Sequence, residues 1–244
     1  MSSDFTPERL EGLWQERRPS GPPIAHTFRS TYADRWVRFH SLPESKRYPE
    51  SEDEYAILLD RYNTILDELF AGTDVFVVTM DWSNTPTGPA GYPSPRQTLH
   101  PDGIRWWTES DQADPDPEFH AHTRLYADRR PWERGCVDAL LRAVADGAVV
   151  EVSIIDTELR HIHHPYDGGA DVILTTPAEL DRLRSQYTAW LSSHPALFDR
   201  SVGCIGCSHC DVRAARWGGT LRCRHKATGC RPCSQGPHSR GSPG

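Results

Sequence analysis

Several common signatures are missing from this 244-residue chain. No run of 18 or so consecutive apolar residues occurs, so no transmembrane helix is predicted. The first thirty residues carry Asp4, Glu8, Glu11 and Glu16 without a continuous apolar stretch, which argues against a secretory signal of the usual kind. There is no P-loop, no dinucleotide fingerprint and no Gly-x-Ser-x-Gly elbow. Hydrophobic residues make up 37%, low for a compact chain, which predicts polar loops and ends. Cysteine is nearly absent from the first 200 residues, where Cys136 stands alone; the other six fall within residues 204–233. The expected location is the cytoplasm, with no membrane partner.

What is present is uneven. The net charge is −7, but residues 1–200 hold 20 basic and 33 acidic residues, while residues 201–244 hold seven basic residues and one acid. An acidic body repels phosphate and is a poor general binder of nucleic acid. Gly and Pro cluster at residues 19–23, at 84–103 and after Val202. These shifts divide the chain into a polar N-terminal segment and linker (1–23), an α+β domain (24–200) and a Cys-rich basic tail (201–244).

Within the first segment, Phe5, Leu10, Leu13 and Trp14 form one apolar stripe of a short helix that can dock on the body. Residues 28–40 read as β-like, with Trp36, Arg38 and His40 on one face and Val37 and Phe39 on the other. Ser51 and Glu54 form a capping box before a helix carrying Ile57, Leu58, Tyr62, Ile65, Leu66 and Leu69, stopped at Gly72. Strands are predicted at 75–80, 104–108 and 120–127, with a long Pro/Gly-rich loop at 83–103 and an acidic turn at 109–118. Pro131 fits the first turn of a helix to about Asp146, with Cys136, Val137, Leu140, Leu141 and Val144 inward. Three further strands are expected at 149–155, 159–164 and 170–175, the last two joined by the turn Tyr166-Asp-Gly-Gly169. Thr176 and Glu179 cap a final helix. The order helix, three strands, helix, three strands, helix predicts an α+β fold: a mostly antiparallel sheet covered by helices.

The stretch Arg35-Trp-Val-Arg-Phe-His-Ser-Leu-Pro-Glu-Ser-Lys-Arg-Tyr-Pro49 resembles a group of uncharacterised actinobacterial proteins. So do His164-Pro-Tyr-Asp-Gly-Gly-Ala-Asp-Val-Ile173 and Tyr187-Thr-Ala-Trp-Leu-Ser192. The group is similar to a bacterial family of unknown function with a Tyr-Asp-Asp-Arg-Gly-x-Asp turn and a Tyr-x-x-Trp helix near its end. This chain departs from that turn at Gly168. The resemblance spans roughly residues 28–200; it implies an α+β fold and no activity.

Three constellations offer chemistry. His120-Ala-His122 and His161-Ile-His163 each place two imidazoles on one strand face; on neighbouring strands, the four histidines with Asp167 could surround a divalent metal with a position open for water. The bland alternative is a solvated sheet face, with Asp167 serving only the turn and Asp171 paired with a nearby arginine. Secondly, Trp36, Arg38 and His40, with Trp106 and Trp107 beside the long loop, are residue types that anchor protein contacts; the alternative is that they are partly core. Thirdly, Cys204, Cys207, Cys230 and Cys233 form two Cys-x-x-Cys knuckles that could hold zinc. Their 22-residue separation, the extra Cys210 and the lack of aliphatic residues favour a disordered or out-of-frame tail instead.

The reading favoured is a non-catalytic module that binds another protein, without a cofactor, at the Trp36/Arg38 face together with the 83–110 loop. Analogy with small acidic α+β proteins extends this to an immunity-type role against toxins. The alternatives are a metal-dependent hydrolase using the paired histidines, and a zinc-bearing tail that contacts nucleic acid.

Overall fold

A computed structural model describes residues 5–85, 94–111, 116 and 120–191. Seven strands form a single, wholly antiparallel sheet in the order β1-β7-β6-β5-β2-β4-β3. They are β1 (Trp36–His40), β2 (Asp74–Ser83), β3 (Ile104–Asp111), β4 (Ala121–Pro131), β5 (Ser153–Asp156), β6 (Ile162–Tyr166) and β7 (Gly169–Ile173). Among the described residues there are six α-helices: α1 (Pro7–Arg17), α2 (Phe28–Thr31), α3 (Glu52–Phe70), α4 (Pro95–Leu99), α5 (Asp138–Ala145) and α6 (Pro177–Gln186). The α+β class and the broad order of elements are as the sequence predicts. The last three strands form a simple meander; the earlier three do not, because β4 returns between β2 and β3, leaving β3 at the edge.

Alternation along β2 divides the core. Val75 and Val77 face one side, where α3 and α5 supply Leu58, Tyr62, Leu66, Phe70, Leu141 and Val144. Phe76 and Val78 face the other, where the N-terminal layer supplies Leu10, Trp14, Phe28 and Tyr32. A third cluster seals β1 and β7 beneath α6, with Val37, Phe39 and Val172 against Leu180 and Leu183. The sheet is thus covered on both faces.

The ends of the elements follow local chemistry. Thr176 makes the complete capping box with Glu179 that starts α6. Ser51 caps α3 through the Glu54 amide, but the Glu54 carboxylate reaches one residue further back, to the amide of Glu50. Gly72 and Gly147 stop α3 and α5 with positive φ.

Several details differ from the sequence reading. Pro95–Leu99, inside the expected 83–103 loop, form α4, and β3 runs through Asp111 into the expected acidic turn because it stays paired with β4. Residues 28–31 are helical rather than extended, because Phe28 and Tyr32, one turn apart, are both buried on the sheet. Pro131 ends β4 instead of opening a helix; Trp132 packs edge-on against Phe70, and α5 starts only at Asp138. In that connection Cys136 is exposed, not inward-facing. Ile57 also lies outside the core, at 40% exposure.

Candidate functional site: an arginine–aromatic face on β1, β7 and β6

The register of three neighbouring strands sets up a row of polar side chains. Asp171 of β7 stands opposite Arg38 of β1 on one side and His164 of β6 on the other. Arg38 donates from Nε to Asp171 Oδ1 at 2.9 Å and from Nη2 to Oδ2 at 3.3 Å, a two-pronged pair that fixes the guanidinium plane. Trp36 and Tyr166, each two residues along on the same face, flank that plane; the guanidinium carbon lies 5.5 Å and 4.8 Å from their ring centroids. Exposed Arg29 also stacks on Trp36, at 4.6 Å. Burial opposes the charge on Arg38, but the hydrogen bond and charge of Asp171 outweigh it and hold the pKa above its ordinary value. Burial, then Asp171, pushes the Tyr166 phenol upward, so it stays protonated. The indole nitrogen of Trp36 and Nε2 of His40 are buried without a hydrogen-bond partner among the described residues.

The row continues beyond His164. That ring donates from Nδ1 to the carbonyl of Val152 at 2.7 Å, because a carbonyl can only accept. Glu151 lies next, held by the backbone amide of His26 at 3.0 Å and its ring at 3.1 Å. Burial opposes ionisation of Glu151, but the His26 hydrogen bond and the charges of His164 and His26 bring its pKa below the usual value. Glu151 has φ of 57°, a left-handed conformation costly for a residue with a side chain.

The turn Tyr166-Asp-Gly-Gly169 closes one end of the face. Asp167 accepts from Tyr48 at 3.0 Å and pairs with Arg47 at 2.6 Å, so this carboxylate is committed to the loop after β1. Gly169 is required by close packing: a Cβ there would lie 2.4 Å from the carbonyl oxygen of Phe39. Tyr48, 51% exposed, and Arg47 extend the arginine–aromatic surface outward.

The remaining sequence candidates fall elsewhere. Trp106 and Trp107 sit on β3, at the opposite edge of the sheet from Trp36, Arg38 and His40. Six strand steps of about 4.8 Å separate the two groups, so they do not form one contact surface. A register shift between Arg105 and Trp107 sets the two indoles on the same side, against the N-terminal layer. The His-x-His pairs are not neighbours either. His122 lies on β4 and His163 on β6, with β2 and β5 between them, about 14 Å at that spacing. His122 is buried and bonds Ser110 at 2.8 Å; His163 is wholly buried against Tyr62. Among the described residues no group of three or more His, Cys, Asp or Glu is placed to hold a metal ion. Cys204, Cys207, Cys230 and Cys233 lie outside the described residues.

One arrangement escaped the sequence. Thr79 Oγ1 meets His100 Nδ1 at 2.8 Å, and His100 Nε2 meets Asp128 Oδ1 at 2.7 Å. Arg130 binds the other oxygen of Asp128, and nearby Arg96 pairs with Asp81 and stacks on Tyr126. This hydroxyl–imidazole–carboxylate line has the connectivity of a nucleophilic triad. Thr79 is 0% and His100 1% exposed, however, so no substrate reaches the hydroxyl. Thr79 lies on β2, Asp128 on β4 and His100 just after α4, so the line needs both the β2–β4 pairing and the placement of α4.

The fold and this face describe a small α+β domain built around an antiparallel sheet. Residues 24–195 match the family model described as a domain of unknown function, DUF3885, and the chain belongs to that family. No curated protein and no solved structure matches it.

Proposed function

We propose that the chain is a non-catalytic binding module that recognises another protein through the Trp36–Arg38–Tyr166 face. The observation that carries this reading is the half-buried Arg38 guanidinium, held flat by Asp171 between two aromatic rings, with exposed Arg29, Arg47 and Tyr48 around it. Arginine and large aromatics dominate the energetics of protein contacts: the aromatics present wide surface with little rotamer freedom to lose, whereas a free arginine has much. Asp171 removes that freedom before any partner arrives. The surface also contrasts with the acidic body, which suits an acidic partner patch. No described helix is long and apolar enough to cross a membrane; the reading places the protein in the cytoplasm, where an immunity-type role would operate. Affinity capture from lysate with Arg29→Glu and Trp36→Ala tests it. Both variants should fold, Trp36→Ala with a lowered melting temperature because its indole is partly buried, and lose a specific captured protein; equal capture by folded variants would count against the face.

A further inference from the structure

Helix α1 is fixed on the sheet by the buried Leu10 and Trp14; Trp14 meets Trp106 edge-on at 6.1 Å, and Phe5 meets Phe76 at 5.5 Å. Beside these contacts the fit is incomplete, and a cavity of about 390 Å³ lies between helix and sheet. Arg9, Leu13 and Glu16 recur at spacings of four and three, so one stripe of α1 forms the first wall. Phe76 of β2 and Arg129 of β4 stand opposite each other in the strand register and form the second. Thr6, the cap of α1, and Thr157, just after β5, complete the rim. The cavity exists with α1 in its docked place, so occupying it displaces no part of the fold.

The lining has two chemical halves. Phe5, Leu10, Leu13 and Phe76 make an apolar floor. The polar rim is rich in donors and poor in acceptors. Arg129 commits Nε and Nη2 to Asp74, at 3.0 Å and 2.9 Å, which leaves Nη1 without a partner among the described residues. The guanidinium of exposed Arg9 makes no ion pair or hydrogen bond among the described residues, and the Thr6 and Thr157 hydroxyls donate to none of them. The lining has one carboxylate, Glu16, and Arg17 offsets it at 3.3 Å. An apolar floor beneath an excess of cationic donors suits an anion with an apolar body. The volume is at the lower end of small-molecule sites, room for a chain or ring system of about ten carbons. We propose that this cavity binds a small organic acid, its carboxylate held by Arg9 and Arg129 and its alkyl or aryl body laid on Phe76 and Leu13. The site is separate from the Arg38 face and holds whether or not that face binds a protein.

The test is calorimetric titration of the full chain with decanoate and with naphthoate, each beside its neutral primary amide. At least one acid should bind saturably, one molecule per chain, and the stronger of the two tells an alkyl body from an aryl one. Its amide should bind at least about tenfold more weakly, the scale of one lost charge-assisted hydrogen bond. Arg9→Glu changes an exposed side chain and should weaken the acid at least about tenfold while leaving the amide unaffected. Leu13→Trp puts an indole into the cavity from a half-buried position and should abolish binding of both. Failure of both acids to saturate, equal affinity for acid and amide, or undiminished binding by a folded Leu13→Trp variant would overturn the proposal. If Leu13→Trp does not fold, Arg9→Glu decides, and an unchanged affinity for the acid would overturn it.

Discussion

Acid should destabilise this protein through one buried imidazole. His163 of β6 is 0% exposed, lies against the Tyr62 ring at 5.7 Å, and has no hydrogen-bond partner at either ring nitrogen among the described residues. Burial, with a smaller contribution from His164, depresses its pKa to about 3. In the unfolded chain the same ring titrates near 6.5. The unfolded state therefore binds the proton first, and the native state is penalised as pH falls from 6.5 towards 3. Between pH 7 and pH 5 the loss is about 2 kcal/mol at 1.36 kcal/mol per pH unit. The full loss approaches about 5 kcal/mol only near pH 3, comparable to the whole stability of a marginal domain. Urea unfolding followed by tryptophan fluorescence at pH 7, 6 and 5 measures it. His163→Leu keeps the apolar volume and removes the proton site, so its stability should fall less over that interval, by about 2 kcal/mol. Other titrating groups cancel in that difference. Parallel pH dependences for the two proteins would refute the reasoning.

Three further outcomes follow from the same geometry. Asp171→Asn leaves the half-buried Arg38 charge without its carboxylate and should cost about 3 kcal/mol in chemical denaturation, more than an exposed ion pair would. Gly169→Ala should lower the melting temperature sharply, because its methyl group would collide with the Phe39 carbonyl and force β1 from β7; recovery of β1 protection in hydrogen exchange would contradict this. Thr79→Val strands a buried ring nitrogen of His100 and should cost about 1–3 kcal/mol while leaving partner capture intact, which the melting curve and the capture assay check together.

The elements that the sequence made legible are those whose local chemistry agrees with their final environment. The apolar spacing of α3, the capping box of α6, the alternation of β1 and the glycine-bearing turn before β7 all signal their structure within a few residues. The stripe on α1 was equally plain, and Leu10 and Trp14 are core. The failures came where distant residues decide. Pro131 is compatible with a helix start, but its strand continues because β2 pairs along its whole length with β4. The histidine pairs look alike in sequence, and only the strand order shows two strands between them. The candidate face was half legible: Trp36, Arg38 and His40 share a strand, so their common side follows from alternation. Their partners Asp171, Tyr166 and His164 lie more than 120 residues away, and nothing local in the sequence joins them to β1.

The recognition claim is tested most directly by site-specific photocrosslinking in lysate from the source organism. A photoreactive amino acid at position 29 should capture one discrete protein, and acid-patch competitors or added Trp36→Ala background should abolish that product. The same group placed at Trp82, an exposed position on β2 near the other end of the sheet, should not capture it. A product formed equally from both positions, or from position 82 alone, would contradict a partner site at the Arg38 face.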